Sequence, residues 1–362
     1  MVHLAMQKQL GPQVTSPPSV VLSIVHPSSH KTIFALSPLA MAWQVARMTR
    51  ILTSPDGTLA SRFAFGTMQF GGRADAAQSA EIYAACRAAG ITHFDTAWVY
   101  TEGRSEEILG DLIKAERDQL IIASKVGYTG GAGAENMQAQ FDTSRKRLGL
   151  DFIDILYLHR FDDQTDLRET LTWFGSRKEA GDIRYIGLSN FAAWQVMKAQ
   201  MLGRDMGVQT DILQPMYSLV KRQAEVEILP MCTDQNIAIA PYSPLGGGLL
   251  TGKYATGGEG RLSEDARYNS RYGQSWMHDT AKGLSALAAE LGLSPATLAV
   301  AWAAAHPATP MPIISGRTAE QIAPSLAALD FKMDTGLYDE IEALSPRPAP
   351  ATDRLEEQEL GA

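Results

Sequence analysis

Four polar residues lie at or just beyond the ends of short apolar segments that are typical of β-strands. Asp95 ends ITHFD, Tyr100 ends WVY, Lys125 ends LIIASK and His159 ends IDILYLH. If these strands lie side by side in a parallel barrel, the four side chains converge on the rim formed by the strands' carboxyl ends. A phenol has a pKa of ~10, and a nearby ammonium lowers that pKa, which makes the phenol a usable proton donor near neutral pH. This chemistry suits the reduction of a carbonyl group.

The other residues have complementary roles in this interpretation. Asp95 keeps Lys125 charged and aimed, and His159 donates a hydrogen bond to the substrate carbonyl oxygen. None of the four is a good nucleophile, so the hydride is expected from a bound donor. Each residue also has a structural interpretation: a hydrogen-bonded His, an Asp in a cap or ion pair, or a Tyr at the rim. Their occurrence in strand order at equivalent ends favours the catalytic interpretation.

From about residue 61 the sequence alternates between apolar strand-like segments and helical segments. We predict helices at residues 76–90, 105–114, 136–148, 167–180, 192–201, 223–235, 280–291 and 295–306, and a further helix from residue 319. The strands lack a clean polar alternation, which indicates burial on both faces of a parallel sheet. Eight strand and helix pairs predict an α/β fold, a (β/α)8 TIM barrel with its active site at the C-terminal ends of the strands. An open doubly wound sheet is the alternative, but the G-x-G-x-x-G turn typical of it does not occur.

Composition and charge narrow the classes of partner. The net charge is −8, from 40 acidic and 32 basic residues, and no basic tract could follow a phosphate backbone, so nucleic acid is not an expected partner. No membrane is expected either, because the mean hydropathy of −0.11 is ordinary for a globular enzyme and the apolar run VVLSIV near the N-terminus is far short of the ~18 residues of a membrane span. Cys86 and Cys232 are the only cysteines, too few for a disulfide framework or a thiolate metal site, which favours a cytoplasmic protein without a metal.

Residues 1–47 differ in composition from the rest of the chain. They contain five prolines, three basic residues and no Asp or Glu, and they show no sustained helical or strand periodicity. We predict a dispensable, disordered extension here, or an upstream misread start with Met48 as the natural first residue; a targeting peptide is the alternative. Residues 48–362 are predicted to form a single domain.

Six long motifs occur with a recognisable order and spacing. They are GITHFDTAWVYTEGRSEEILG, LIIASKVGY, IDILYLHR, RYIGLSNF, APYSPLGGGLLTGKY and IISGRTAEQ. Together they resemble the aldo-keto reductase superfamily, over residues 52–354. The resemblance implies a (β/α)8 barrel, NADPH as the hydride donor and reduction of aldehydes or ketones to alcohols. It makes Tyr100 the general acid, with Lys125 and Asp95 lowering its pKa and His159 positioning the carbonyl group.

The resemblance also implies a set of cofactor residues. Ser189, Asn190 and Gln214 match residues that hold the nicotinamide carboxamide, although Ser189 and Asn190 also fit helix N-caps. Tyr242 matches the aromatic residue that stacks on the nicotinamide ring. The other positions are Gly66, Thr67, Met68 and Asp95 near the nicotinamide riboside, Ser243, Leu245, Gly247 and Lys253 over the pyrophosphate, and Gly316, Arg317, Thr318 and Gln321 at the adenosine end. The GGG string in the pyrophosphate segment also fits a flexible turn.

Two details concern the cofactor's adenosine end. Arg317 matches the residue that meets the 2′-phosphate and favours NADPH over NADH, and Thr318 with Gln321 forms a predicted capping box beside it. Family members commonly have a Glu-Asn pair where this chain has Pro324 and Ser325. A proline six positions into the helix is expected to bend or end it, which puts the adenine contacts in doubt.

The predicted substrate is a small carbonyl compound, with Trp98 and residues 261–276 lining the mouth of the site. A second hypothesis is a redox-sensing regulatory subunit that binds NADPH and turns over slowly. A third, a metal-dependent hydrolase, lacks clustered His ligands. The sequence leaves the physiological substrate and the oligomeric state open.

Overall fold

The computed structural model describes residues 50–256 and 265–356, which belong to one compact unit. The predicted extension at residues 1–47 and the first residues of the predicted mouth segment, 261–264, lie outside the described residues. The described part combines parallel strands with helices, so the predicted α/β class is confirmed.

Eight parallel strands form one sheet in the order β7-β6-β5-β4-β3-β2-β1-β8. The strands are β1 (Ala64–Gly66), β2 (His93–Asp95), β3 (Ile121–Val126), β4 (Ile153–Leu158), β5 (Ile183–Ser189), β6 (Ile212–Gln214), β7 (Ala238–Ile239) and β8 (Ile313–Ile314). The two edge strands also meet each other. Met311 N donates to Ile239 O at 2.8 Å, and Ile313 N donates to Pro241 O at 2.8 Å. The sheet therefore curls until its edges are hydrogen bonded.

Eleven α-helices occur among the described residues. They are α1 (Ala76–Ala88), α2 (Arg104–Ile113), α3 (Ala134–Leu148), α4 (Leu167–Glu179), α5 (Ala193–Arg204), α6 (Ile228–Asp234), α7 (Ala266–Tyr272), α8 (Ser275–Glu290), α9 (Pro295–Ala305), α10 (Ala319–Ala327) and α11 (Thr335–Ala343). In the described part of the chain no helix is by itself long and apolar enough to cross a membrane; α8 and α9 pass that test only as a pair bent by 105°.

Two predicted helices differ from the structure. The helix predicted at residues 223–235 is split into a 3-10 turn, Gln223–Glu225, and α6. In one continuous helix the ring of Pro230 would clash with the carbonyl of Val226; restarting at Ile228 places Pro230 in the first turn, where proline is tolerated. By contrast, α10 continues three residues beyond Pro324, so the expected end there is wrong. The carbonyl left without a helical partner belongs to exposed Glu320, where water can solvate it.

The curled sheet is packed on both faces, which explains why its strands are uniformly apolar. The inner face carries a separate core cluster that includes Ala123 and Tyr157, and the outer face packs against the helices. Because side chains alternate along a strand, Lys125 and His159 follow Ala123 and Tyr157 onto the inner face. The register of β3 and β4 thus brings both polar residues to the same end of the sheet.

Candidate active site

Asp95, Tyr100, Lys125 and His159 meet at the C-terminal edge of the sheet, as predicted. The Lys125 ammonium is paired with the Asp95 carboxylate, donates to Thr96 O at 2.7 Å and lies 3.5 Å from the Tyr100 hydroxyl. The Tyr100 and His159 rings approach edge to face, with centroids 5.9 Å apart. Asp95 and Lys125 are buried, with 2% and 1% of their surfaces exposed. His159 is also buried and Tyr100 is half-buried, so the four groups form one cluster at the edge of the protein interior.

The Asp95 carboxylate determines the charge state of Lys125. Burial by itself lowers the pKa of Lys125, but the charges and hydrogen bonds of Asp95 and Tyr100 together raise it above its usual value. Gln214 Nε2 donates to the second Asp95 oxygen at 2.9 Å, which satisfies the rest of the carboxylate. Lys125 consequently remains an ammonium near neutral pH.

The expectation that Lys125 and Asp95 together lower the pKa of Tyr100 is wrong, because this pKa is raised in the structure and the charge of Asp95 contributes to the rise. Burial raises the pKa of Tyr100 above its usual value, and the opposing effect of Lys125 offsets only part of this rise. Removing a phenolate from water costs more than one ammonium at 3.5 Å returns. Tyr100 therefore holds its proton at neutral pH, while Lys125 favours the phenolate relative to the same burial without a cation.

His159 is a neutral imidazole in this setting. Burial, followed by the charges of Lys125 and Arg160, lowers the pKa of His159 to about 3. Its Nδ1 atom is buried and has no hydrogen-bond partner in the structure. A proton on Nδ1 would leave a buried N–H unpaired, so the favoured tautomer carries the proton on Nε2. His159 can then donate from Nε2.

Backbone strain marks the loop that presents Tyr100. Thr101 and Glu102 have φ values of 47° and 59°, in the left-handed region, and Gly103 follows at 98°. Such conformations cost non-glycine residues of order 1–3 kcal/mol each. The Thr101 hydroxyl donates to Phe70 O at 2.8 Å and accepts from Ser105 N at 3.0 Å, which holds the loop in place.

The predicted carboxamide residues form a hydrogen-bonded group beside the catalytic set. The Asn190 amide donates to His159 O at 2.9 Å and to the Ser189 hydroxyl at 3.1 Å, and Tyr242 donates to Asn190 Oδ1 at 2.7 Å. The N-cap of α5 is Ala192, so the alternative that Ser189 and Asn190 cap this helix is wrong. Asn190 instead occupies a left-handed conformation, with φ 59°, that turns its amide to His159.

The glycine-rich segment after β7 forms a defined turn, Gly246–Thr251. Gly247 has φ 66°, and a Cβ atom there would lie 2.8 Å from the Tyr268 ring and 2.9 Å from the Tyr272 ring. A side chain at this position is therefore excluded by both strain and contact. The neighbouring Gly248 would meet only the end of Lys253, at 3.6 Å. The backbone is therefore open to a ligand at Gly248 and packed against two tyrosine rings at Gly247.

Residues 66–68, at the end of β1, were predicted to lie near the nicotinamide riboside, and only part of this segment faces a cavity. The Thr67 side chain is fully buried and contacts Asp95 O and the Ser105 hydroxyl, so its hydroxyl supports the Asp95 backbone and does not face the mouth. Gly66 lies against β8, where a Cβ atom would come within 2.9 Å of Ile313. Met68 lines a cavity of about 300 Å³ together with Tyr268.

At the predicted adenosine end, Thr318 caps α10 by accepting from Gln321 N at 3.3 Å. The Gln321 side chain reaches back to Arg317 N, at 3.1 Å, one residue before the position expected for a capping box. Gly316 packs against Ile322, where a Cβ atom would overlap the Ile322 side chain. The start of α10 is thus held rigidly beside Arg317.

Sequence reasoning missed one aromatic residue beside the site, Tyr128. The centroid of the Tyr128 ring lies 4.9 Å from the centroid of the His159 ring. The Arg160 guanidinium lies over the Tyr128 ring, 4.9 Å from its centroid. The position of Tyr128 three residues after Lys125 was a usable signal. Tyr268 belongs to the predicted mouth segment, residues 261–276, but the helix on which it lies, α7, was not predicted. Of the described His, Cys, Asp and Glu residues, none form a group of three or more that could hold a metal ion.

Comparison of the sequence with known proteins identifies the family of this chain. The model of the aldo/keto reductase family matches residues 62–346. A probable voltage-gated potassium channel subunit beta of Oryza sativa is 32% identical over 80% of this chain and 94% of its own length. An uncharacterized oxidoreductase of Bacillus subtilis is 31% identical over 82% and 95%. Aflatoxin B1 aldehyde reductase member 2 of Rattus norvegicus is 35% identical over 58% of each chain. The chain is a member of the aldo/keto reductase family.

Proposed function

We propose that this protein reduces aldehydes or ketones to alcohols with NADPH and that Tyr100 is the general acid. The observation that carries this proposal is that the buried Lys125 ammonium contacts both Asp95 and the Tyr100 hydroxyl. Membership of the aldo/keto reductase family supports an oxidoreductase, and the rat relative is named for an aldehyde substrate.

In the proposed reaction a bound nicotinamide cofactor would be the source of the hydride that the carbonyl carbon receives. As the carbonyl oxygen gains negative charge, the Tyr100 hydroxyl gives it a proton. Lys125 then stabilises the phenolate that remains, and Asp95 keeps Lys125 charged and oriented. His159 donates from Nε2 to the same carbonyl oxygen, which orients the substrate. Trp98 and Tyr128 are proposed to line the substrate mouth.

The chain's own residues fit a nicotinamide dinucleotide. Asn190, Ser189 and Gln214 offer the amide and hydroxyl groups that a carboxamide needs, and the Tyr242 ring is anchored to Asn190. Gly248 leaves room for a diphosphate to approach the backbone, near Lys253. These observations support the proposed cofactor site, in which Gly66, Met68, Ser243, Leu245 and Gly316 supply further backbone contacts.

Arg317 and the start of α10 support NADPH over NADH. A helix N-terminus with Arg beside it favours a doubly charged phosphate, and the 2′-phosphate distinguishes the two cofactors. Thr318 and Gln321 hold this helix start in place. Because α10 continues past Pro324, the missing Glu-Asn pair changes side chains at the adenine end without removing the helix.

We also propose that the curled sheet is a closed (β/α)8 barrel and that residues 48–362 form one domain. The hydrogen bonds that join β7 to β8 support closure. A cytoplasmic location and a small carbonyl substrate complete the proposal.

The second candidate is an NADPH-binding regulatory subunit with slow turnover. It is supported by the relatives from Oryza sativa and Arabidopsis thaliana, each named as a probable potassium channel subunit beta and each 32% identical to this chain. The catalytic geometry does not separate the two candidates, because both retain a hydride-transfer site.

One assay distinguishes the candidates. Purified protein is mixed with excess NADPH and 4-nitrobenzaldehyde, and the nicotinamide absorbance is followed. Continuous loss of absorbance over many turnovers supports the enzyme, and a burst of one equivalent followed by a plateau supports the regulatory subunit. No absorbance loss with a panel of aldehydes and ketones, despite NADPH binding, would contradict carbonyl reduction.

A further inference from the structure

A single guanidinium touches both sides of the loop that presents Tyr100. Arg147, in the last turn of α3, donates from Nη1 to Trp98 O at 3.0 Å and lies over the Trp98 ring at 5.6 Å. On the other side of Tyr100, Gly103 passes so close that a Cβ atom there would overlap the same guanidinium. Arg147 therefore contacts the chain two residues before Tyr100 and three residues after it.

The guanidinium is held by a buried carboxylate that also contacts β3. Arg147 Nη1 donates to Glu106 Oε2 at 3.2 Å, and Glu106 is completely buried. The other Glu106 oxygen accepts from the Ser124 hydroxyl at 2.6 Å. Ser124 directly precedes Lys125, so the contacts connect the Tyr100 loop to the strand that carries the ammonium.

Helix packing fixes the position of this connection. A Cβ atom on Gly110 of α2 would lie 2.5 Å from Leu148 O at the end of α3, so the two helices approach too closely for any side chain at that point. Glu106 lies on α2 and Arg147 on α3, and the close approach sets their separation.

We infer that Arg147 is a positioning residue for the proposed reaction, which sets the distance of the Tyr100 hydroxyl from Lys125 and from the substrate carbonyl. The left-handed Thr101 and Glu102 explain why the loop needs such a restraint, since each prefers another backbone conformation. Arg147 acts through Trp98 and Gly103 and is not one of the proposed catalytic or cofactor residues. This inference rests on the proposed function.

The Arg147→Lys substitution tests the inference while retaining the charge opposite Glu106. Nη1 alone donates to both Glu106 and Trp98 O, so lysine can retain a bond of this kind, but it lacks the planar guanidinium that packs against Gly103 and lies over the Trp98 ring. Arg145→Lys is the matched control, because Arg145 lies in the same turn but pairs with Asp142 and Asp182 on the outer surface.

We expect the single-turnover rate of NADPH oxidation to fall by about 10- to 100-fold in Arg147→Lys, the size of effect that misplacement by about 1 Å produces. NADPH affinity should stay within about twofold of wild type. The deficit should be larger for 4-methoxybenzaldehyde than for 4-nitrobenzaldehyde, because the less electrophilic carbonyl depends more on proton donation. Arg145→Lys should behave as wild type in all three measurements. A rate within twofold of wild type, or equal deficits for both aldehydes, overturns the inference.

Amide hydrogen exchange of residues 97–104 provides a readout that does not require activity. We expect faster exchange in Arg147→Lys than in wild type and Arg145→Lys. If the lysine variant does not fold, the double variant Glu106→Gln, Arg147→Gln removes both charges together and is measured instead. If the wild type reduces no carbonyl compound, the proposed function fails, and unchanged exchange at this loop separately overturns the positioning role.

Discussion

Replacing Lys125 with methionine should lower both the free energy of unfolding and the rate of carbonyl reduction. The substitution removes an ammonium that is 1% exposed and leaves the Asp95 carboxylate, 2% exposed, with Gln214 as a side-chain donor. Removing one partner of a buried ion pair typically costs about 3–5 kcal/mol, because the remaining charge stays desolvated. For a domain of this size that loss corresponds to a fall in thermal midpoint of roughly 5–10 °C.

The double variant Asp95→Asn, Lys125→Met separates the two effects. It removes both charges, so most of the stability lost in Lys125→Met should return. Reduction should not return, because Tyr100 then has no ammonium to stabilise its phenolate. Urea unfolding at pH 7 and single-turnover NADPH oxidation measure the two quantities on the same preparations.

Equal unfolding free energies for wild type and Lys125→Met would refute this reasoning, since they would mean that the Asp95 charge is solvated or already neutral. Full reduction by the double variant would refute the electrostatic role of Lys125 even if the stability result were as expected. The single variant alone cannot separate these possibilities, which makes the pair of variants necessary.

Two further predictions concern the cofactor and pH. Arg317→Ala should raise the Kd for NADPH much more than the Kd for NADH, as measured by fluorescence quenching, and equal losses would argue against a 2′-phosphate contact. The pKa of His159 is about 3 in the fold against 6.5 for the free side chain, so the unfolded chain binds the proton first as pH falls. Stability contributed by the neutral imidazole is therefore present above pH ~6.5 and lost toward pH ~3, at up to about 1.4 kcal/mol per pH unit. In His159→Gln, the slope of unfolding free energy against pH between 6 and 4 should be smaller by about that amount; an unchanged slope would mean that His159 titrates normally in the fold.

The sequence predicted the site well wherever strand register alone determines position. Lys125 and His159 each follow an inward-facing residue by two positions, so alternation along β3 and β4 is sufficient to place them together. Parallel pairing then brings Asp95 to the same edge. These are local regularities that a strand pattern encodes directly.

Other features depend on tertiary contacts that no local pattern contains. The left-handed conformations of Thr101 and Asn190 arise from their hydrogen bonds to Phe70 and His159, which are distant in sequence. The rise in the pKa of Tyr100 depends on how completely the loop is desolvated, whereas the sequence indicated only the identity of its charged neighbours.

Errors in the predicted helices have a similar origin. Pro230 was a visible signal for the split before α6, but the helical pattern around it concealed the break. At Pro324 the error was the opposite, because a helix end was expected where the helix continues. The free-energy cost of a proline inside a helix depends on whether the carbonyl that it leaves unpaired reaches water. Exposure of Glu320 decides that question, and exposure follows from the fold.

The most direct measurement of the central claim is single-turnover hydride transfer by Tyr100→Phe. The substitution removes only the hydroxyl, so NADPH affinity, measured by fluorescence quenching, should stay within about twofold of wild type. If Tyr100 donates the proton, NADPH oxidation with 4-nitrobenzaldehyde should be slower by about 10²–10⁴-fold. Oxidation at the wild-type rate by a variant that binds NADPH normally would contradict the assignment of Tyr100 as the general acid.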